Sequence, residues 1–172
     1  MSGEAQLLAR LSRLLAEVAV DAAALTARAE ETGELLVQWR KEGQLGRAEL
    51  MLVAANLHGY YTALETLCER VARQLDENLP TGPTWHVDLL SQMQIEIPGL
   101  RPPVIAAEAL DDLHELRKFR HFYRNAYVLE FDPTLVRGHA ERLVRIQGPL
   151  AAALTAFRSH VERVVQRLTG SH

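Results

Sequence analysis

Between Ala5 and Thr32 the apolar residues Leu7, Leu8, Leu11, Leu14, Leu15, Val18, Ala22 and Leu25 recur at steps of three and four. That is the period of an amphipathic α-helix with one buried face. The pattern leaves open whether this helix runs on through Leu35, Leu36 and Trp39, because Gly33 falls inside it; Gly43 and Gly46 mark a firmer end. A second helix is predicted from about Arg47 to Asn78, closed by Pro80, Gly82 and Pro83, which cannot continue it. Thr84 stands where it can cap a short helix from Trp85 to Gln94. Pro98, Gly99, Pro102 and Pro103 then impose an irregular connection. A third long helix is expected from near Val104 to Phe131. Asp132-Pro133 reads as a cap followed by proline in the first helical position. It opens a fourth long helix that runs to about Leu168, with a kink at Gly148-Pro149. No period-two alternation or internal repeat interrupts the helical pattern. The expectation is an all-α fold: an antiparallel four-helix-type bundle with a short extra helix, in a single domain across residues 1–172.

Composition sharpens this picture. With 172 residues and 48% hydrophobic content, the chain can bury a sizeable core, and sparse aromatics make that core one of helix packed on helix. The single cysteine, Cys68, excludes an internal disulfide framework and a cysteine metal site, and reads as a small buried hydrophobe. Glu4 and the charges after it interrupt any signal-peptide core, and no run approaches the ~20 apolar residues of a membrane span. A soluble, cytoplasmic protein with no membrane partner is expected. The net charge of −3 argues against a general nucleic-acid coating protein.

Against that weakly acidic background, residues 116–127 gather Arg117, Lys118, Arg120 and Arg124 with His121, Tyr123 and Tyr127, and no carboxylate. On a helix turning about 100° per residue, Arg120, Arg124, His121, Asn125 and Tyr127 fall within about 80° of Arg117. Leu116, Phe119, Phe122, Tyr123 and Ala126 fill the opposite arc. The polar face suits a polyanion such as a nucleic-acid backbone, because Arg presents a planar fork of donors to phosphate and His exchanges a proton near neutral pH. The plainer alternative is a solvated helix face paired with Glu115 or Glu130.

Arg120, four residues, Asn125, one residue and Tyr127 resemble the Arg-x4-His-x-Tyr motif of HepT-like toxins in the HEPN superfamily, with Asn125 standing where the typical member has His. The polar His121 directly after Arg120 fits the same motif. Upstream, residues 57–65 and 70–76, then Leu79 to His86 with Leu89 and Leu90, resemble the second helix and connecting turn of that family. The likeness covers roughly residues 45–165 and leaves residues 1–40 as an N-terminal amphipathic helix. It implies a HEPN helical bundle that pairs as a homodimer or higher homo-oligomer, with motif helices facing across a groove. It also implies a metal-independent endoribonuclease toxin of a prokaryotic toxin–antitoxin or defence pair, cutting RNA by 2′-hydroxyl attack. Carried over, Arg120 offsets charge on the scissile phosphate, while Asn125 occupies the histidine's place but cannot move a proton. His121, on the same face, becomes the candidate proton carrier. Arg117, Lys118 and Arg124 are candidate RNA contacts. The resemblance further implies a minimal nucleotidyltransferase antitoxin that adds AMP to Tyr127 and blocks the groove with bulk and negative charge.

Asn125 also favours an alternative, a catalytically silent HEPN module that binds RNA or its nucleotidyltransferase partner without cutting. No cofactor is expected and no metal: His58, His86, His114, His139 and His160 lack ligand spacing. Asp111, Asp112 and Glu115 read as helix-capping or surface acidity. Trp85-His86 reads as packing for the turn.

Overall fold

The structure is a computed structural model that describes residues 3–125 and 130–170. Its elements are α1 (Gly3–Glu42), α2 (Arg47–Gln74), α3 (Trp85–Gln94), α4 (Leu110–Asn125) and α5 (Pro133–Gly170), with a single 3₁₀ turn at Ala107–Ala109. The four long helices make an antiparallel bundle. Gln74 donates to Glu17, Arg70 pairs with Asp21, and Arg28 donates to Asn56, so α1 and α2 run in opposite directions. Asp112 of α4 takes Arg142 and Arg145 of α5, while Phe119 meets His139, which reverses that pair as well.

α1 continues unbroken through Gly33, and the open question over Leu35 to Trp39 is resolved by packing. Leu11, Leu14, Val18, Leu25, Ala29, Leu36 and Trp39 form one buried stripe, and burying Leu36 and Trp39 outweighs the ~1 kcal/mol that glycine costs inside a helix. Gly43 ends it at φ +80°, with its amide donating to the Trp39 carbonyl at 2.9 Å; the left-handed conformation there suits a residue without a Cβ. At the start of α5 the Asp132 side chain accepts from the Thr134 amide at 2.9 Å, as the Asp-Pro pair predicts. Thr84 behaves differently: its hydroxyl donates to Asp88 at 2.8 Å and only its carbonyl caps α3.

Two helices are shorter than their patterns suggest. α2 stops at Gln74, and α4 starts at Leu110 instead of Val104 because Val104 and Ile105 donate to the Met93 carbonyl. The connection between α3 and α4 is organised by Arg101, whose side chain is fully buried. Its guanidinium forks onto Asp76 at 2.7 Å twice and donates to the carbonyls of Ile95, Pro102 and Gln92. Every donor is satisfied, which is the condition for a charge to be tolerated inside a core. Cys68 is buried as expected, and burial pushes its thiol well above the ordinary range. Among the described residues, no helix is long and apolar enough to cross a membrane.

Candidate functional site

α4 and α2 cross so that one turn of each meets the other. On α2, His58, Tyr61, Thr62 and Glu65 lie at steps of three and four and share a face. On α4, Leu113, Leu116 and Phe119 are buried, and Tyr123 is half-buried against Phe131 and His58. Phe122 departs from the expected buried arc and is 46% exposed. Ala126 and Tyr127, the expected modification site among them, lie outside the described residues.

Arg120 does not stand on the open face that its helical angle suggests. Its side chain is only 14% exposed and turns across to α2. Nε donates to Thr62 Oγ1 at 3.2 Å, Nη2 pairs with Glu65 Oε1 at 3.2 Å, and the guanidinium sits 5.9 Å from the Tyr61 ring centre. Glu65 is itself buried and also contacts His86 Nδ1, whose ring stacks on Trp85 at 3.6 Å between centroids. The Trp85-His86 pair therefore does more than pack a turn: through Glu65 it backs up the motif arginine. The physical reason Arg120 leaves the polar face is this carboxylate, which a reading of α4 alone does not contain.

The other motif residues sit around the exposed rim. His121 and Arg124 are exposed. Asn125 Nδ2 donates to the His121 carbonyl at 2.7 Å, so the amide closes the last turn of its own helix. Lys118 pairs with Glu115 at 2.6 Å. Arg117 is half-buried with an Nε that finds no hydrogen-bond partner among the described residues. Together with His114, Asp111 and Arg142 these two cations line a second, open cleft of about 600 Å³ on the α3–α5 side of α4. α4 therefore divides the cationic residues into two groups instead of presenting them as one face.

The acidic cluster before the basic stretch is also resolved by its partners. Asp112 is buried and accepts from Arg142 at 3.0 Å and from Arg145 at 2.9 and 2.8 Å. It anchors α4 to α5, which corrects its reading as surface acidity. Among the described residues, no group of three or more potential ligands could hold a metal ion.

His58 is the residue that spacing in the sequence passed over. Its ring stacks on Tyr123 at 4.6 Å between centroids and 24° between planes. Its carbonyl accepts from the Thr62 hydroxyl that also receives Arg120. Burial, and then the charges of Arg120, Arg124 and Arg28, hold its imidazole below the usual histidine pKa. The signal in the sequence was its place four residues before Thr62 and seven before Glu65, on the face that meets α4.

The model of a family described as HepT-like protein matches residues 52–161, a span that holds α3, α4, most of α2 and most of α5 and leaves α1 outside. No curated protein and no solved structure gives a significant match.

Proposed function

Because the chain belongs to the HepT-like protein family of the HEPN superfamily, we propose that it is a metal-independent endoribonuclease, the toxin of a prokaryotic toxin–antitoxin or defence pair. The reaction is attack of a ribose 2′-hydroxyl on the adjacent phosphate, which needs charge offset on the phosphate oxygens and a path for one proton. The observation that carries this reading is the arginine of the variant motif, held by Glu65 and Thr62 with its neighbours Arg124 and His121 on the open rim. Such a fastened guanidinium enters the reaction already oriented, and the exposed Arg124 supplies a sequence-independent contact to the backbone. A homodimer would double this rim across a groove. Modification of Tyr127 by a nucleotidyltransferase antitoxin would add negative charge three residues along the sequence from Arg124 and seven from Arg120.

One observation favours a second reading, a silent module that binds RNA or its antitoxin without cutting. Asn125 carries no ionisable group and its amide is engaged by the His121 carbonyl. The deciding experiment is cleavage of an end-labelled RNA pool in EDTA by wild type, by Arg124→Ala and by Asn125→His. Cutting by wild type that weakens in Arg124→Ala supports the ribonuclease. Retention of RNA in a salt-dependent manner without any cutting, with cutting gained in Asn125→His, would establish the silent module.

A further inference from the structure

We infer that the imidazole of His58, on α2, is the proton acceptor of this site, and that the scissile phosphate seats over it between Arg28, Arg120 and Arg124. The inference rests on the ribonuclease reading above and relocates its chemistry from α4 to the face of α2 that Arg28 of α1 and Arg120 and Tyr123 of α4 approach.

Three independent contacts fix the surroundings of His58. The Tyr123 ring covers one side of His58. Thr62 links the two helices, its hydroxyl donating to the His58 carbonyl at 2.9 Å and accepting from Arg120 at 3.2 Å. Gly59 fixes the third side: a Cβ there would stand 2.5 Å from the Arg28 guanidinium carbon, so the Arg28 guanidinium of α1 packs against α2 at Gly59, next to His58. Arg28 is steadied by Asn56 at 3.5 Å, and Asn56 in turn donates to Glu31 at 2.7 Å. The charged groups facing His58 are thus Arg28 from α1 and Arg120 and Arg124 from α4. Glu65 neutralises one of the three, leaving a surplus of positive charge around an imidazole.

That composition is what the reaction needs. An imidazole surrounded by cations stays unprotonated near neutral pH and is free to accept. Its unprotonated ring nitrogen takes the 2′-hydroxyl proton as the 2′-oxygen bonds to phosphorus. The bond from phosphorus to the 5′-oxygen breaks, and the 5′-oxygen keeps the electron pair and is protonated from water. The imidazolium then returns its proton to solvent. A 2′,3′-cyclic phosphate and a 5′-hydroxyl end result, and the arginines offset the charge that builds on the phosphate oxygens. The positive groups also raise the acidity of the imidazolium, so the catalyst is regenerated quickly at pH 7.

The test is cleavage of a labelled RNA in EDTA between pH 5 and 8 by wild type, His58→Ala, His58→Gln and His121→Ala, with folding of each followed by circular dichroism. The expected result is a loss of about 100-fold or more in kcat/KM for both His58 variants, the usual scale for removing an acid–base group. The wild-type acid limb should have its midpoint below the ordinary imidazole value of 6.5 and vanish from the residual activity of His58→Ala. Added imidazole should restore cutting to a folded His58→Ala. A His58→Ala enzyme within threefold of wild type, or a folded one that imidazole does not rescue, overturns the assignment while leaving the ribonuclease reading intact. A wild type that cuts nothing overturns the ribonuclease reading, and the proton-acceptor role falls with it.

Discussion

Replacing Arg120 by alanine should unfold the protein measurably, quite apart from any effect on RNA. The substitution leaves the Glu65 carboxylate, whose side chain is 5% exposed, without its principal counter-charge. Removing one partner of a buried ion pair costs about 3–5 kcal/mol. Glu65 keeps its contact with His86, which places the cost near the lower end, about 3 kcal/mol. For a domain of this length each kcal/mol moves the melting temperature by roughly 2–4 °C, so the expected drop is about 6–12 °C. Glu65→Leu should cost a similar amount, because it strands a guanidinium that is only 14% exposed. The double variant Arg120→Ala/Glu65→Leu should lose no more than either single variant, giving a coupling energy of about 3 kcal/mol. The assay is thermal and urea denaturation followed at 222 nm for wild type, both single variants and the double. If Arg120→Ala melts within 2 °C of wild type, or if the two single losses simply add, the pair does not fasten α4 to α2 as argued. The outcome also governs how activity data are read, since a dead Arg120→Ala enzyme that has begun to melt says nothing about phosphate.

Three further predictions follow from other residues. Arg101→Ala should be the more damaging substitution, costing about 3–5 kcal/mol or more because its fully buried guanidinium satisfies Asp76 and three carbonyls at once; a soluble, cooperatively melting variant within 5 °C of wild type would contradict this. Burial leads the causes that lower His58, His114 and His139, so the unfolded chain binds protons more readily than the folded one and stability should fall as pH drops below about 6.5. Melting temperatures between pH 7.5 and 5.5 check the sign, and His139→Phe should flatten the slope; a flat or rising wild-type curve on acidification would refute it. Gly59→Ala should keep or slightly raise stability, since helix propensity improves by up to about 1 kcal/mol, yet displace Arg28. Filter binding to single-stranded RNA should then show a salt slope shallower by about 0.7, the loss of one phosphate contact, and an unchanged slope would remove Arg28 from the site.

The bundle was legible because its signals are local. Steps of three and four, prolines after Asn78 and the Asp132-Pro133 start each act within one helix, and α3 fell where Thr84 and Gln94 place it. The α3–α4 connection was not legible, since Arg101 meets Asp76 across 25 residues and nothing adjacent to Arg101 announces a buried charge. The candidate site divided in the same way. The order Arg120, Asn125, Tyr127 was visible along one helix and led to the family. The carboxylate that turns Arg120 inward, and the imidazole of His58 beside it, belong to α2 and become neighbours only when the helices cross. Helical angles on α4 put Arg117 on one open face with Arg120, Arg124 and His121; one helix without its partners shows neither that Arg120 turns inward to Glu65 nor that Arg117 lines the other side.

α1 lies outside the span that the family model matches, yet it delivers Arg28 to Gly59, next to His58. The matched residues and the chemically complete unit therefore have different borders. A chimera that kept residues 52–161 and received its first helix from a relative would keep the motif intact and still change the charge next to His58. Trimming the chain to its recognisable part would do the same. Comparisons of activity among relatives should accordingly be indexed by what their first helix places over Gly59, and not by the motif alone.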